Sequence, residues 1–127
     1  MSKIVLLKRK RKYDHVTPLL KSSHWLPVKE RIVYKIATLC HKYFLGTLPF
    51  YLSSLLKKAQ QTRNLRSCND KTILFKPIKN LKSYGERSFE FCGPLIWNAL
   101  QREIREIDSH KTFKRALKHH LFLRAFD

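Results

Sequence analysis

Apolar residues recur along most of this chain at helical spacing. After Pro27, the residues Val28, Ile32, Ile36, Leu39, Cys40 and Tyr43 return every three or four positions with Lys29, Glu30, Lys35 and Lys42 between them, which predicts an amphipathic helix from about 27 to 45. Pro27 suits its first turn, and Gly46 suits the left-handed position just past its end. A shorter helix over about 49–58 opens at Pro49 and carries Tyr51, Leu52, Leu55 and Leu56 on its apolar side, with Gly46-Thr47-Leu48 as the turn of a helical hairpin. Near the end, Ser109 is an N-cap for a basic amphipathic helix over about 110–125. Its stripe is Phe113, Ala116, Leu117, His120, Leu121 and Arg124, beside Lys111, Lys114, Arg115 and Lys118.

Elsewhere the pattern is weaker. Thr17 before Pro18 has the form of an N-cap followed by proline at N1, opening a brief helix over residues 18–21 that ends before His24-Trp25-Leu26-Pro27. Residues 59–72 are polar without period and read as a loop. Thr72-Ile73-Leu74-Phe75 and Leu81-Lys82-Ser83-Tyr84 allow two short strands, with Pro77 limiting the first to an edge. Residues 87–92 fit a helical turn or two, Gly93-Pro94 breaks it, and Pro94 to Leu100 restarts a short apolar helix. The fold class expected is mainly α: a small helical domain of about four to five helices with a short β-hairpin near residues 72–84. At 127 residues the chain is one domain's length, which disfavours a two-lobed enzyme. It divides into a basic N-terminal segment (1–12), a helical half (13–58), a basic loop and hairpin (59–85) and C-terminal helices (86–127).

Charge changes this picture most. Lys and Arg number 27 against 9 Asp and Glu, a formal charge of +18, which costs stability through self-repulsion and attracts polyanions. Nucleic acid, an anionic membrane face and an acidic protein all fit that description. The block Lys8-Arg9-Lys10-Arg11-Lys12 fits a nuclear localisation signal, a nucleic-acid patch or a solvated charge run. Arg63, Arg66, Lys71, Lys76, Lys79, Lys82 and Arg87 crowd the loop and hairpin, and together with the N-terminal block they are the candidate phosphate contacts. Trp25, Trp97, Phe89 and Tyr84 are read as core rather than as stacking rings. Cys40, Cys68 and Cys92 are an odd number at wide spacing, which builds neither a disulfide framework nor a zinc site. That spacing points to a reducing, intracellular setting, nuclear or cytoplasmic. The run Ile4-Val5-Leu6-Leu7 is too short for a signal peptide, and no stretch has the length of a membrane span.

Catalytic chemistry is not legible. A polymerase or metal-dependent nuclease needs paired carboxylates to hold two divalent ions, and no adjacent Asp-Asp occurs. Glu86 with Glu90 lies near Arg87, and Glu103, Glu106 and Asp108 lie among Arg102 and Arg105, which is the arrangement of surface ion pairs. His15, His24, His41, His110, His119 and His120 show no zinc-ligand spacing, and the neighbours Cys40 and His41 point to different faces of a helix. Gly46, Gly85 and Gly93 are the only glycines, too few for a phosphate-cradling loop. No catalytic residue, metal or cofactor is therefore expected.

One further pattern spans the chain. Asp14-His15-Val16-Thr17-Pro18-Leu19-Leu20 is followed by His24-Trp25-Leu26-Pro27-Val28, Arg31-Ile32, Tyr34-Lys35-Ile36 and Pro49-Phe50-Tyr51-Leu52. Arg63-Asn64-Leu65-Arg66-Ser67, Tyr84-Gly85-Glu86-Arg87-Ser88-Phe89, Pro94-Leu95-Ile96-Trp97-Asn98-Ala99-Leu100 and the run from Phe113 to Phe122 come after it. In order and spacing, from about Arg11 to Asp127, this resembles the segment after the polymerase domain in non-LTR (LINE-type, jockey-like) retrotransposon reverse transcriptases. The resemblance implies the C-terminal end of such a polyprotein, truncated upstream. The family's Tyr/Phe-x-Asp-Asp polymerase motif and its endonuclease are absent, so no catalytic residue carries over and the chain is not expected to be an enzyme. His24 to Pro27 and Pro94 to Leu100 look structural. The resemblance also implies that such a region helps hold template RNA or target DNA, so the expected function is nonspecific binding of RNA or DNA through phosphates. Two alternatives stand beside it: docking of the faces Val28–Tyr43 and Phe113–Leu121 on a reverse transcriptase domain supplied by a full-length element, and a relic reading frame with no selected role.

Overall fold

A computed structural model describes residues 13, 15–59, 73–77 and 88–127, and the described residues are mainly helical. Six helices lie among them: α1 (Thr17–Ser22), α2 (Val28–Leu45), α3 (Phe50–Ser53), α4 (Phe89–Ala99), α5 (Arg102–Arg105) and α6 (His110–Phe126). The limits expected for α2 hold. Pro27 precedes its first residue, and Gly46 sits at φ +75° with its N–H on the Tyr43 carbonyl while Thr47 N–H reaches Lys42, the paired bonds of a Schellman stop. Ser109 stands at the start of α6 as expected, although its side chain makes no capping bond.

α2 and α6 run antiparallel and carry a polar clasp at each end. At one end Arg124 Nη2 donates to Glu30 Oε2 over 2.5 Å, and Glu30 is buried. At the other, His41 Nδ1 and His110 Nδ1 lie 2.9 Å apart. Between the clasps, Phe113, Leu117 and Leu121 of α6 are fully buried, with Ala37 facing from α2. The His41 ring stacks on Phe113 with centroids 4.0 Å apart and 5° between planes. α4 closes the other side. Trp97, at 0% exposure, stacks on Phe44 at 5.4 Å and leans on Phe113 at 5.6 Å.

Several expectations are corrected by this packing. Of the stripe expected on α2, Cys40 is buried and Ile36, Leu39 and Tyr43 pack against the core, whereas Val28 and Ile32 at its start are 67% and 56% exposed, and Glu30, Ala37, Thr38 and His41 are buried instead. Gly93-Pro94 does not break α4, which runs unbroken from Phe89 to Ala99. A Cβ at Gly93 would stand 3.3 Å from Leu56 Cδ2 and 3.5 Å from Cys40 Sγ, so the glycine lets α2 come close, and the Cys40 thiol donates to the Gly93 carbonyl over 3.5 Å. Pro94 is wholly buried beside it. That tight contact outweighs a helix cost of about 3 kcal/mol for an internal proline.

The second helix also stops early, as the four-residue α3. Ser53 and Ser54 hydroxyls donate back to the Phe50 and Tyr51 carbonyls, and Tyr51 is 71% exposed rather than on a buried stripe. Thr17 lies inside α1, and Val16 occupies the cap position. α5 was not expected. There Arg102 meets Glu106 at 2.6 Å, the surface pairing read from the acid-base pattern.

The hairpin near 72–84 is not supported. Leu74 bridges antiparallel to Lys58 instead, through Ala59 N–H to Ile73 O (3.0 Å) and Phe75 N–H to Lys57 O (2.7 Å); residues 78–84 lie outside the described ones. Leu74's own backbone groups point away from this bridge, and the Asn98 side chain takes both. Its Oδ1 accepts from Leu74 N–H (3.0 Å) and its Nδ2 donates to Leu74 O (2.9 Å). A side-chain amide thus stands where a third strand would, and the Leu74 side chain is driven into the core at 1% exposure.

Two of these arrangements can be tested by stability measurements. Asn98→Ala leaves a buried N–H and a buried carbonyl without partners and should cost about 2–4 kcal/mol in urea unfolding; a change under about 0.5 kcal/mol contradicts the bracing role. The His41–His110 pair should make stability fall in acid. The Ile107 carbonyl only accepts, so His41 Nε2, 2.6 Å away, carries a proton and its Nδ1 accepts from His110 Nδ1–H. His110 Nε2 is then a buried lone pair without a partner. Burial lowers both pKa values below 6.5, reinforced at His110 by His41, Lys114 and Lys42 and opposed at His41 by Ile107 and Asp108. The unfolded chain therefore takes up protons first, so stability is whole above about pH 6.5 and declines below it. The melting temperature should drop by several degrees from pH 7.5 to 5.0, and His110→Gln should shrink that drop.

Candidate nucleic-acid interface

Of the residues named from sequence as phosphate contacts, Lys76 alone lies among the described ones. Lys8, Arg9, Lys10, Arg11, Lys12, Arg63, Arg66, Lys71, Lys79, Lys82 and Arg87 lie outside them. Lys76 is exposed, and its Nζ stands 5.3 Å over the Phe91 ring. It belongs to the bridged segment beside α4.

A different cationic surface is assembled by the α2–α6 pair. α1 ends in a second Schellman stop, with His24 N–H on the Lys21 carbonyl and Trp25 N–H on Leu20 (2.9 Å). The residue at its left-handed position is not glycine but His24, at φ +53°. A side chain there costs about 1–2 kcal/mol that glycine would avoid. The backbone turn thrusts His24 and Trp25 toward α6, where the imidazole stacks on Phe122 at 5.1 Å.

Two adjoining furrows share His24 and Lys118 as a common wall. The larger, about 520 Å³, is lined by Trp25, Leu26, Arg31, Tyr34 and Lys35 in addition to that wall. The smaller, about 250 Å³, adds Arg115, His119 and Phe122. Residues 115, 118, 119 and 122 fall at i, i+3, i+4 and i+7, one stripe of α6 on the side away from its buried one. Arg31, Lys35, Arg115 and Lys118 are all exposed, no carboxylate lines either furrow, and none of the four cations is in an ion pair among the described residues. Arg31 is held in place by its Nε, which donates to the Leu26 carbonyl over 2.8 Å. Fixed guanidinium, mobile ammonium groups and half-buried rings around one concavity are what a phosphate-bearing, planar ligand requires.

Burial pushes the Cys40 thiol up to about 12, so it carries no thiolate at neutral pH. Among the described residues no group of three or more His, Cys, Asp or Glu side chains is placed to hold a metal ion. His41 and His110 are engaged with each other in the helix clasp. No helix among the described residues is long and apolar enough to cross a membrane.

Trp97 and Phe89 are packed inward as expected from sequence, and Leu26 joins the core, whereas Trp25, expected in the core, is only half-buried. Comparison with protein-family models, curated protein sequences and solved structures finds no match for this chain.

Replacing His24 tests that strain directly. His24→Gly should leave the melting temperature unchanged or raise it, since relief of the left-handed backbone offsets removal of the ring stacked on Phe122. A fall of more than about 5 °C would mean that the stack, not the backbone, dominates at this turn.

Proposed function

We propose that this chain is a non-catalytic module that binds RNA or DNA through phosphate contacts, as the C-terminal region of a non-LTR retrotransposon reverse transcriptase would. The observation that carries the reading is the furrow between the α1–α2 turn and α6, which no carboxylate lines among the described residues and whose cations Arg31, Lys35, Arg115 and Lys118 have no counter-ion among them. A net charge of +18 supports it, because uncompensated positive charge destabilises the free protein and is relieved by a polyanion. Each phosphate met by one of these cations releases a condensed counter-ion, which makes affinity depend steeply on salt.

A docking role on a reverse transcriptase domain keeps one observation in its favour, the exposed Val28 and Ile32 at the start of α2. The other candidate face for it, Phe113 to Leu121, includes Phe113, Leu117 and Leu121, which are buried within the chain itself.

Fluorescence anisotropy against single-stranded RNA across 50–200 mM salt tests the nucleic-acid reading. Affinity should fall steeply, and Lys35→Ala with Lys118→Ala should make the slope of log affinity against log salt shallower by about 1.4, about 0.7 for each phosphate no longer neutralised. Binding that is absent at low salt, or indifferent to added salt, overturns the reading.

A further inference from the structure

We infer that the His24–Trp25 furrow takes an unpaired base, so that the protein binds single strands by base stacking and not by phosphates alone. The inference rests on the nucleic-acid reading and adds the part of the ligand that phosphate contacts leave unspecified. The argument begins with shape. Four cations on a convex helix face would suffice to hold a phosphate backbone, but here they stand at the edge of a concavity of about 520 Å³ that continues into a second of about 250 Å³. A duplex keeps its bases stacked inside and offers such a concavity only backbone, whereas a single strand turns π-faces outward.

The chemistry of the lining agrees. Trp25 and Tyr34 are half-buried rings in the larger furrow, and Phe122 is a half-buried ring in the smaller. His24 belongs to both, stacked on Phe122 with 30° between planes and so presenting one ring face away from it. Phe122 is itself backed by Phe126, whose ring is tilted 57° to it at 4.8 Å, so the His24–Phe122 stack is supported from the side away from the furrow. Around the rings stand Arg31, Lys35, Arg115 and Lys118, placed to take the phosphates on either side of an inserted base. The strained His24 backbone fits this role. The fold already uses a glycine for the same stop at the end of α2, so the imidazole at φ +53° is there for its ring.

Abasic strands separate the two readings, because they keep every phosphate and lack the bases. Oligo(dT), oligo(rU) and an abasic strand of equal length are titrated against the full chain at one salt concentration, following both anisotropy and tryptophan emission. Trp97 is fully buried, so quenching reports Trp25. The base-bearing strands should bind roughly tenfold or more tightly than the abasic one and quench the emission. A preference for oligo(dT) or for oligo(rU) identifies the natural source. Trp25→Ala should erase the preference for base-bearing over abasic strands. Should that variant fail to fold by circular dichroism, Trp25→Phe keeps a ring and should retain the preference without the quenching, and His24→Gly should reduce the preference. Equal affinity for abasic and base-bearing strands overturns the base pocket and leaves the phosphate reading standing. No binding to any strand at low salt overturns both.

Discussion

The antiparallel pairing of α2 with α6 sets the position of nearly everything else, and it depends on two polar contacts that an apolar stripe alone would not supply. Leucines and a phenylalanine between two helices tolerate sliding by a turn, since each ridge fits more than one groove at little cost. Glu30 with Arg124 at one end and His41 with His110 at the other do not. A buried carboxylate needs its guanidinium, and an imidazole held at 2.6 Å by the Ile107 carbonyl accepts its second bond only from a donor in one place. The two clasps therefore fix the register, and Phe113 slots under His41 as a consequence. The neutral state of the histidines belongs to the same arrangement, because a second proton would set two N–H groups against each other.

The furrow is a by-product of that register. With residue 30 opposite 124 and residue 41 opposite 110, Arg31, Tyr34 and Lys35 of α2 share a furrow with Lys118 of α6, which also borders the furrow of Arg115 and Phe122. The Schellman stop of α1 then closes one end with His24 and Trp25. The described ion pairs use acids away from this surface, Glu30 at the clasp and Glu106 on α5, so the furrow's cations stay uncompensated among the described residues.

What was legible beforehand divides along a physical line. The span of α2, its stop at Gly46, the length of α6 and the triplet Phe113, Leu117, Leu121 were readable, because caps and a 3.6-residue period act within a few positions. The fate of Gly93-Pro94 was not. Taken locally it breaks a helix, and it runs through only because α2 approaches so closely that a glycine is needed there and the proline is buried in the same contact. Leu74 tells the same story, since its β-forming neighbours announced a strand without saying that the partners would be Lys58 and an asparagine on α4. Of the candidate surface the excess positive charge was legible, whereas the grouping of Arg31, Lys35, Arg115 and Lys118 depends on how α6 packs and could not be read along the chain; Arg63, Arg66, Lys71, Lys79, Lys82 and Arg87 lie outside the described residues.

By itself, then, the amino-acid order determined a mainly helical chain, the placement and limits of its two long helices, and a net charge of +18. These are properties of composition and of neighbours in sequence. Tertiary structure alone decided which side of α2 is buried, leaving Val28 and Ile32 outside, and which cations share a concavity with aromatic rings. Trp25 and Lys118 stand far apart in the chain, and no local preference speaks for or against their meeting. The packing of α6 on α2 brings them together, and that packing is settled by competition among all the apolar and polar surfaces the chain must bury at once.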